Sequence, residues 1–284
     1  MSFSGEVKEE LVRRLGKSRH CQLAELAALF AFLGREAEAD NSSLDGKYRM
    51  LLSELFQIEE ISSQEEERRV FSAIKMWNAT EGCVKWESTI HGLLIQQTCC
   101  KRAFIRGAFL AGGSISDPNK SYHFEIVCRT PEQARQLQEV INSFDMDAKI
   151  VARKKYQVVY LKEGSQIVDI LNVMEAHVAL MNLENVRILK GMRNSVNRKV
   201  NCETANISKT VNAAVQQVAD IVYIRETAGL DSLPDTLKEM ALLRLEYPDA
   251  PLKELGTYLD PPVGKSGVNH RLRKISEIAE GLRK

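Results

Sequence analysis

Two stretches of small and apolar residues constrain this chain more than any other feature. One reads Cys21-Gln-Leu-Ala-Glu-Leu-Ala-Ala-Leu-Phe-Ala-Phe-Leu-Gly34, apolar almost all round and rich in alanine; the other reads Phe104-Ile-Arg-Gly-Ala-Phe-Leu-Ala-Gly-Gly-Ser114. A helix without a polar face must be buried, and small side chains let it approach another backbone closely. Aligned without gaps, Leu26-Ala-Ala-Leu-Phe-Ala-Phe-Leu-Gly34 matches Ile105-Arg-Gly-Ala-Phe-Leu-Ala-Gly-Gly113, as if one element were used twice. Ala27, Ala28, Gly107, Ala111 and Gly112 are the expected points of closest approach.

The second copy is followed by a clear α+β pattern. Residues 122–128 have strand composition, and Thr130 and Pro131 open a helix through Phe144 as N-cap and first position. Residues 148–153 and 157–161 form a hairpin around Lys154-Lys155-Tyr156, and residues 165–174 return to helix. The first copy is poorer. It follows a short amphipathic helix over residues 3–15, with Ser4 as cap. Residues 49–55 fit either a strand or a helix, residues 65–77 predict a helix through Val70, Ile74 and Trp77, and residues 83–90 alternate like a strand.

The far end is built differently. An amphipathic segment over residues 237–245 carries Leu237, Ala241 and Leu245, and residues 251–259 carry Leu252, Leu255 and Leu259. Pro261, Pro262 and Gly264 then break the chain before a helix over residues 266–281, with Ser266 as N-cap. Its apolar stripe is Val268, Leu272, Ile275, Ala279 and Leu282, while residues 263–284 hold six Lys or Arg against two acids. Three short helices ending in a basic one make a helix-turn-helix, whose last helix enters the DNA major groove. Lys265, Ser266, Asn269, His270, Arg271, Arg273 and Lys274 crowd the part that would face DNA. Asn and Arg can make bidentate contacts to base edges there, and Lys or Arg can neutralise phosphates.

A net charge of +1 over 284 residues conceals an asymmetry, net −4 over residues 1–100 and +5 over residues 101–284. Only part of such a molecule faces a polyanion. The six cysteines form no Cys-x-x-Cys pair and no His lies at metal-ligand spacing, so they read as free thiols in a reducing compartment, with no metal site. No run approaches a membrane span and the first residues are charged and amphipathic, so a cytoplasmic protein is expected. No phosphate-binding glycine loop, cofactor or small-molecule ligand is indicated. His20, His91, His123 and His177 are isolated; His270 alone has a functional context, touching a phosphate or a base.

Residues 185–202 contain Arg187, Lys190, Arg193, Arg198 and Lys199 with no acid, together with Asn194, Asn197 and Asn201. This segment is either a second phosphate-contacting surface, through Arg193, Asn197, Arg198 and Lys199, or a solvated connector. Ile207, Val211, Val215, Val218 and Val222 then predict a long helix over residues 204–227, ended by Gly229, with residues 231–234 as a joint.

The paired segments resemble the Leu-Ala-Gly-Leu-Ile-Asp-Ala-Asp-Gly signature of the homing endonucleases, in which two such helices pack at a pseudo-dyad between two saddle-shaped sheets. Each family helix delivers one acid, just before the final glycine, to hold divalent metal. Leu33 and Gly112 occupy those positions here and offer no ligand oxygen. Asp40, Asp117 and Glu125 lie beyond the helix ends. The run from Cys99 to Ile126, then Asn197-Arg-Lys-Val-Asn-Cys-Glu-Thr-Ala-Asn-Ile-Ser-Lys-Thr210, then the terminal helices, are similar to the WhiA family of bacterial sporulation and cell-division regulators.

That resemblance implies an α+β chain: a duplicated LAGLIDADG-like domain of αββαββα type with an abbreviated first repeat, then a small all-α helix-turn-helix. The expected parts are residues 1–98, N-terminal helix and first repeat; 99–184, second repeat; 185–231, basic connector and long linker helix; and 232–284, helix-turn-helix. It also implies a non-catalytic, sequence-specific regulator of sporulation or of cell division and chromosome segregation, associated with the nucleoid. Its partners would be double-stranded DNA and another transcription regulator or RNA polymerase. The rival reading is a metal-dependent homing-type endonuclease with relocated acids. A third treats the duplicated domain as a protein-interaction platform.

Overall fold

The computed structural model describes residues 2–34 and 42–283, and the chain divides into two compact units, Met1–Gly191 and Met192–Lys284. Among the described residues, no helix is long and apolar enough to cross a membrane.

The first unit is organised by α2 (Arg19–Leu33) and α5 (Thr98–Gly112), the two small-residue segments, which pack along their length. Gly107 makes this possible: a Cβ there would stand 2.7 Å from the Glu25 carbonyl oxygen and 2.8 Å from the Ala28 Cβ. Helix α1 (Phe3–Arg13) covers the pair through Val7 and Leu11. Its N-cap is Ser2, which accepts from the Gly5 amide; Ser4, expected in that role, lies inside the helix and accepts from the Ile115 amide instead.

After α5 the order is β3 (Gly113–Ile115), β4 (Phe124–Cys128), α6 (Pro131–Asn142), β5 (Lys149–Arg153), β6 (Tyr156–Leu161) and α7 (Gly164–Met174). With α5 this is a full αββαββα repeat. Its antiparallel sheet has the order β3-β4-β6-β5, with Phe124 opposite Leu161 and Ile150 opposite Val159. Phe124, Ile126 and Cys128 alternate inward, and Phe124 stacks on Phe109 of α5 at 5.2 Å. Thr130 caps α6 by accepting from the Gln133 amide, with Pro131 in the first turn. The strand at Gly113 was not anticipated; Gly113 caps α5 and also opens β3.

The first repeat is shorter. It comprises α3 (Ser42–Phe56), α4 (Gln64–Ala73) and a two-residue hairpin, β1 (Trp77–Asn78) with β2 (Cys83–Val84). The ambiguous stretch over residues 49–55 is helical. The helix expected to reach Trp77 stops at Ala73, because Lys75 adopts a positive φ of 63° and turns the chain into β1. The strand expected over residues 83–90 shrinks to two residues. Ser63 and Glu66 form a reciprocal capping box on α4, and the rings of Phe30, Phe71 and Trp86 pack against one another.

Helix α8 runs from His177 to Thr227, 51 residues without interruption. Its first amides at Val178 and Ala179 donate to the Glu10 carboxylate at 2.9 and 3.0 Å. The separate connector and linker helix expected here are therefore one element. Asn194, Asn197 and Asn201 favour caps and turns in isolation, but Met192, Val196, Val200, Ile207 and Val211 keep a helical period across them. Residues 191–213 are exposed throughout.

The second unit closes around α9 (Asp235–Glu246), α10 (Leu252–Leu255) and α11 (Lys265–Arg283), which pack on Ile221 and Ile224 of α8. The stretch expected as a joint is part of this core, since Leu233 is buried and Leu230 packs beside it. The helix expected over residues 251–259 keeps one turn, yet Leu255 and Leu259 are both buried.

Candidate nucleic-acid interface

The terminal helices are held by a continuous apolar contact. Val268, Leu272, Ile275 and Ala279 of α11 are buried against Leu237, Met240 and Ala241 of α9 and Leu255 beside them. Leu282, assigned to the same stripe, is 41% exposed. Gly256 fits the break tightly: the Val263 amide donates to its carbonyl at 2.9 Å, and a Cβ there would overlap the Val263 carbonyl oxygen. Ser266 is not the N-cap, because α11 already begins at Lys265 and the Gly267 and Val268 amides donate to the Gly264 carbonyl.

Opposite the buried stripe, Lys265, Ser266, Asn269, His270, Arg273 and Lys274 are all exposed. They follow one another at alternating steps of one and three, so at about 100° per residue they share the outward half of the helix. Neither Lys265 nor Lys274 has a carboxylate within ion-pair distance among the described residues. Arg273 donates from Nε to Glu277 Oε1 at 3.1 Å, an exposed i,i+4 pair that a phosphate can displace at little cost. The helix N-terminus lies at Lys265, where the macrodipole adds to its charge.

Arg271 departs from this group. Its helical position falls beside the buried stripe, and its side chain is only 24% exposed, with Nη1 3.7 Å from Glu239 Oε2 and near the Thr236 carbonyl, both on α9. It braces α11 against α9. The pattern in the sequence missed another scaffold residue, Arg244, whose buried guanidinium donates to Gln217 at 3.0 and 2.8 Å and to the carbonyls of Pro248 and Ala250. Burial lowers its pKa. A signal existed: Arg244 continues the inward register of Leu237, Met240 and Ala241, where a charged side chain needs several partners.

On α8, Arg193, Asn197, Arg198 and Lys199 are exposed but do not form one face. Arg193 and Asn197 stand one turn apart; Arg198, which donates to the Asn194 carbonyl at 3.3 Å, and Lys199 point to successive other sides.

In the first unit, Leu33 and Gly112 end the paired helices. Arg129 fills this place: its Nη2 donates to the Leu33 carbonyl at 2.5 Å, and its guanidinium lies against Gly34. A guanidinium capping a helix C-terminus sits where the family motif gathers cations with acids. Glu125 is engaged by His123 at 3.0 Å and Arg153 at 3.5 Å, and Asp117 accepts from the Asn119 amide at 2.8 Å in its own turn. That local bond holds the Asp117 carboxyl below its ordinary range. Asp40 lies outside the described residues.

Two family models match the chain: the WhiA LAGLIDADG-like domain over residues 101–193 and the WhiA C-terminal HTH domain over residues 196–279. A "Probable cell division protein WhiA" from Lachnoclostridium phytofermentans is 51% identical over 312 aligned positions, covering all of both chains. This chain belongs to the WhiA family. A relative of the same name from Lachnospira eligens is 48% identical, covering 100% of this chain and 98% of that protein. The crystal structure of full-length DUF199/WhiA from Thermatoga maritima is similar over 99% of this chain and 98% of that one, with a TM-score of 0.58 and 25% identity. The WhiA helix-turn-helix match begins within α8, so the family's own module takes in the rear of that helix together with α9, α10 and α11.

Proposed function

We propose that this protein is a non-catalytic, sequence-specific binder of double-stranded DNA that regulates transcription. The observation that carries the reading is the outward stripe Lys265, Asn269, His270, Arg273 and Lys274, exposed on the last helix of a WhiA helix-turn-helix and opposite its buried stripe. In this reading Asn269 and Arg273 meet base edges, Lys265 and Lys274 neutralise phosphates, and Ser266 and His270 bond the sugar-phosphate backbone. Arg193, Asn197, Arg198 and Lys199 surround α8 and add phosphate contacts that carry no sequence information. The names of the relatives support a role in cell division; sporulation and chromosome segregation belong to the same proposal. The setting is the cytoplasm at the nucleoid, with another transcription regulator or RNA polymerase as protein partner.

Leu33 and Gly112 at the ends of the paired helices support the non-catalytic part, since neither side chain offers a ligand oxygen to the cation that hydrolysis would require. A genome-wide map of bound DNA supplies the site, and a gel-shift titration on it then compares wild type with Arg273→Ala/Lys274→Ala. A loss of about tenfold or more is expected, from about 1–3 kcal/mol per base contact. Equal affinity would refute the assignment of the interface. Supercoiled plasmid incubated with Mg²⁺ or Mn²⁺ should remain uncut; protein-dependent cleavage would establish the endonuclease reading instead.

A further inference from the structure

The cysteines do not behave as six unrelated thiols. His20 and Cys21 lie in the first turn of α2, and Cys99 and Cys100 in the first turn of α5. The ungapped match of Leu26 with Ile105, extended toward the N-terminus, sets His20 against Cys99 and Cys21 against Cys100. Ala24 and Ala103 are paired by the same offset, and they form with Cys21 and Cys100 a small buried cluster separate from the main core. Where α2 and α5 come together at their N-terminal ends, the duplication therefore places two side-chain donors from each.

The donors converge. His20 Nδ1 lies 3.1 Å from Cys100 Sγ, 3.4 Å from Cys21 Sγ and 3.9 Å from Cys99 Sγ, and all four ligand atoms fall within 4.8 Å of one another. With Zn–S near 2.3 Å and Zn–N near 2.0–2.1 Å, the donors of a tetrahedral zinc site are about 3.5–3.8 Å apart. Among the described residues, no other group of histidine, cysteine and acid side chains meets this condition.

We propose that His20, Cys21, Cys99 and Cys100 form a structural Zn²⁺ site joining the two repeats. Three sulfurs and one imidazole select zinc over the hard cations that a homing-endonuclease centre takes. Four protein ligands leave no position for water or substrate, so the ion fastens the N-terminal ends of α2 and α5 and performs no chemistry. Binding of the divalent ion releases the protons of the thiols that become ligands. The two helix N-termini favour the resulting thiolates. The proposed site departs from the expectation of no metal site because the ligands are adjacent in pairs, a spacing that only the duplication makes meaningful.

The test uses the full chain, purified without chelator or polyhistidine tag, with zinc measured by inductively coupled plasma mass spectrometry. Cobalt added to the reduced, metal-stripped protein provides a second readout. The result expected is one zinc per chain, and with cobalt the intense thiolate charge-transfer and ligand-field bands of a tetrahedral site. Cys99→Ser removes an exposed ligand without disturbing the core and should weaken cobalt binding at least as much as the roughly tenfold loss an outer-shell change causes. Cys83→Ser and Cys202→Ser, at exposed cysteines outside the cluster, should bind as wild type. The site is overturned by zinc-free wild-type protein that gives no thiolate band with cobalt. It is overturned equally by metal retained unchanged in Cys99→Ser, or by a Cys21–Cys100 disulfide in protein isolated under reducing conditions.

Discussion

Arg106 on α5 donates from Nε to Oε1 and from Nη2 to Oε2 of Glu25 on α2, at 2.9 and 3.0 Å, and both side chains are shut away from water. Lys47 of α3, also fully buried, reaches the same carboxylate at 2.9 Å. Three charges are thus enclosed where the repeats meet. Removing one partner strands the others, so Arg106→Ala should cost about 3–5 kcal/mol, read as a lower urea midpoint. Replacing Arg106 and Glu25 together by leucine should give little relief, because Lys47 is left without its carboxylate. Adding Lys47→Met should restore much of the loss; if the double variant alone recovers it, Lys47 is not part of the network.

Gly107 supplies a second test of the same interface. Its added Cβ would meet backbone and Cβ atoms of α2, neither of which can rotate away, whereas the Cβ of Gly112→Ala would stand 3.0 Å from the Val127 carbonyl oxygen of β4. Gly107→Ala should destabilise by about 1–3 kcal/mol through overpacking, despite alanine's better helix propensity. Thermal denaturation of the two alanine variants should place Gly107→Ala lower.

Glu175 gives the unit a sensitivity to acid. Burial raises its pKa, but the bond and charge of Arg14, with Arg106 at 3.3 Å, outweigh that and hold the carboxyl below its ordinary range. A carboxyl with a lowered folded pKa binds its proton more readily in the unfolded chain. Its stabilisation is therefore complete above the unfolded value, about 4.3, and disappears as pH falls through the folded one. Stability measured from pH 6 downward should fall less steeply in Glu175→Gln than in wild type across that window; parallel curves would remove Glu175 from the acid response.

Much of this was legible in the sequence, and the exceptions have physical reasons. Thr130-Pro131 marks the start of α6 because cap and first-turn chemistry is local. The alternation of Phe124, Ile126 and Cys128 marks a strand with one face inward. The start of α8 lies well before the helix expected from residue 204, because the apolar stripe from Ile207 to Val222 is the clear signal and the basic, asparagine-rich stretch before it also fits a connector. His20 and Cys100 are 80 positions apart and meet only because two helices pack. On α11 the outward stripe was visible from composition, but the side to which Arg271 turns depends on its angle from Val268 and Leu272.

That angle makes the two arginines of α11 separable by experiment. Arg273 is exposed and paired only with Glu277 along its own helix, while Arg271 is held beside Glu239 and Thr236 of α9. Arg273→Ala should therefore weaken binding to the specific duplex by about tenfold or more with little change in melting temperature, and Arg273→Lys should recover affinity only in part, since a lysine cannot make the bidentate contact. Arg271→Ala should do the reverse, lowering the melting temperature while affinity for DNA changes by less. Lys265→Ala and Lys274→Ala should each reduce the salt dependence of binding by about one unit of slope, equally on specific and unrelated duplexes. Should Arg271→Ala abolish binding in protein that melts as wild type does, Arg271 must swing away from α9 to reach DNA, and the contact with Glu239 would become a restraint released on binding.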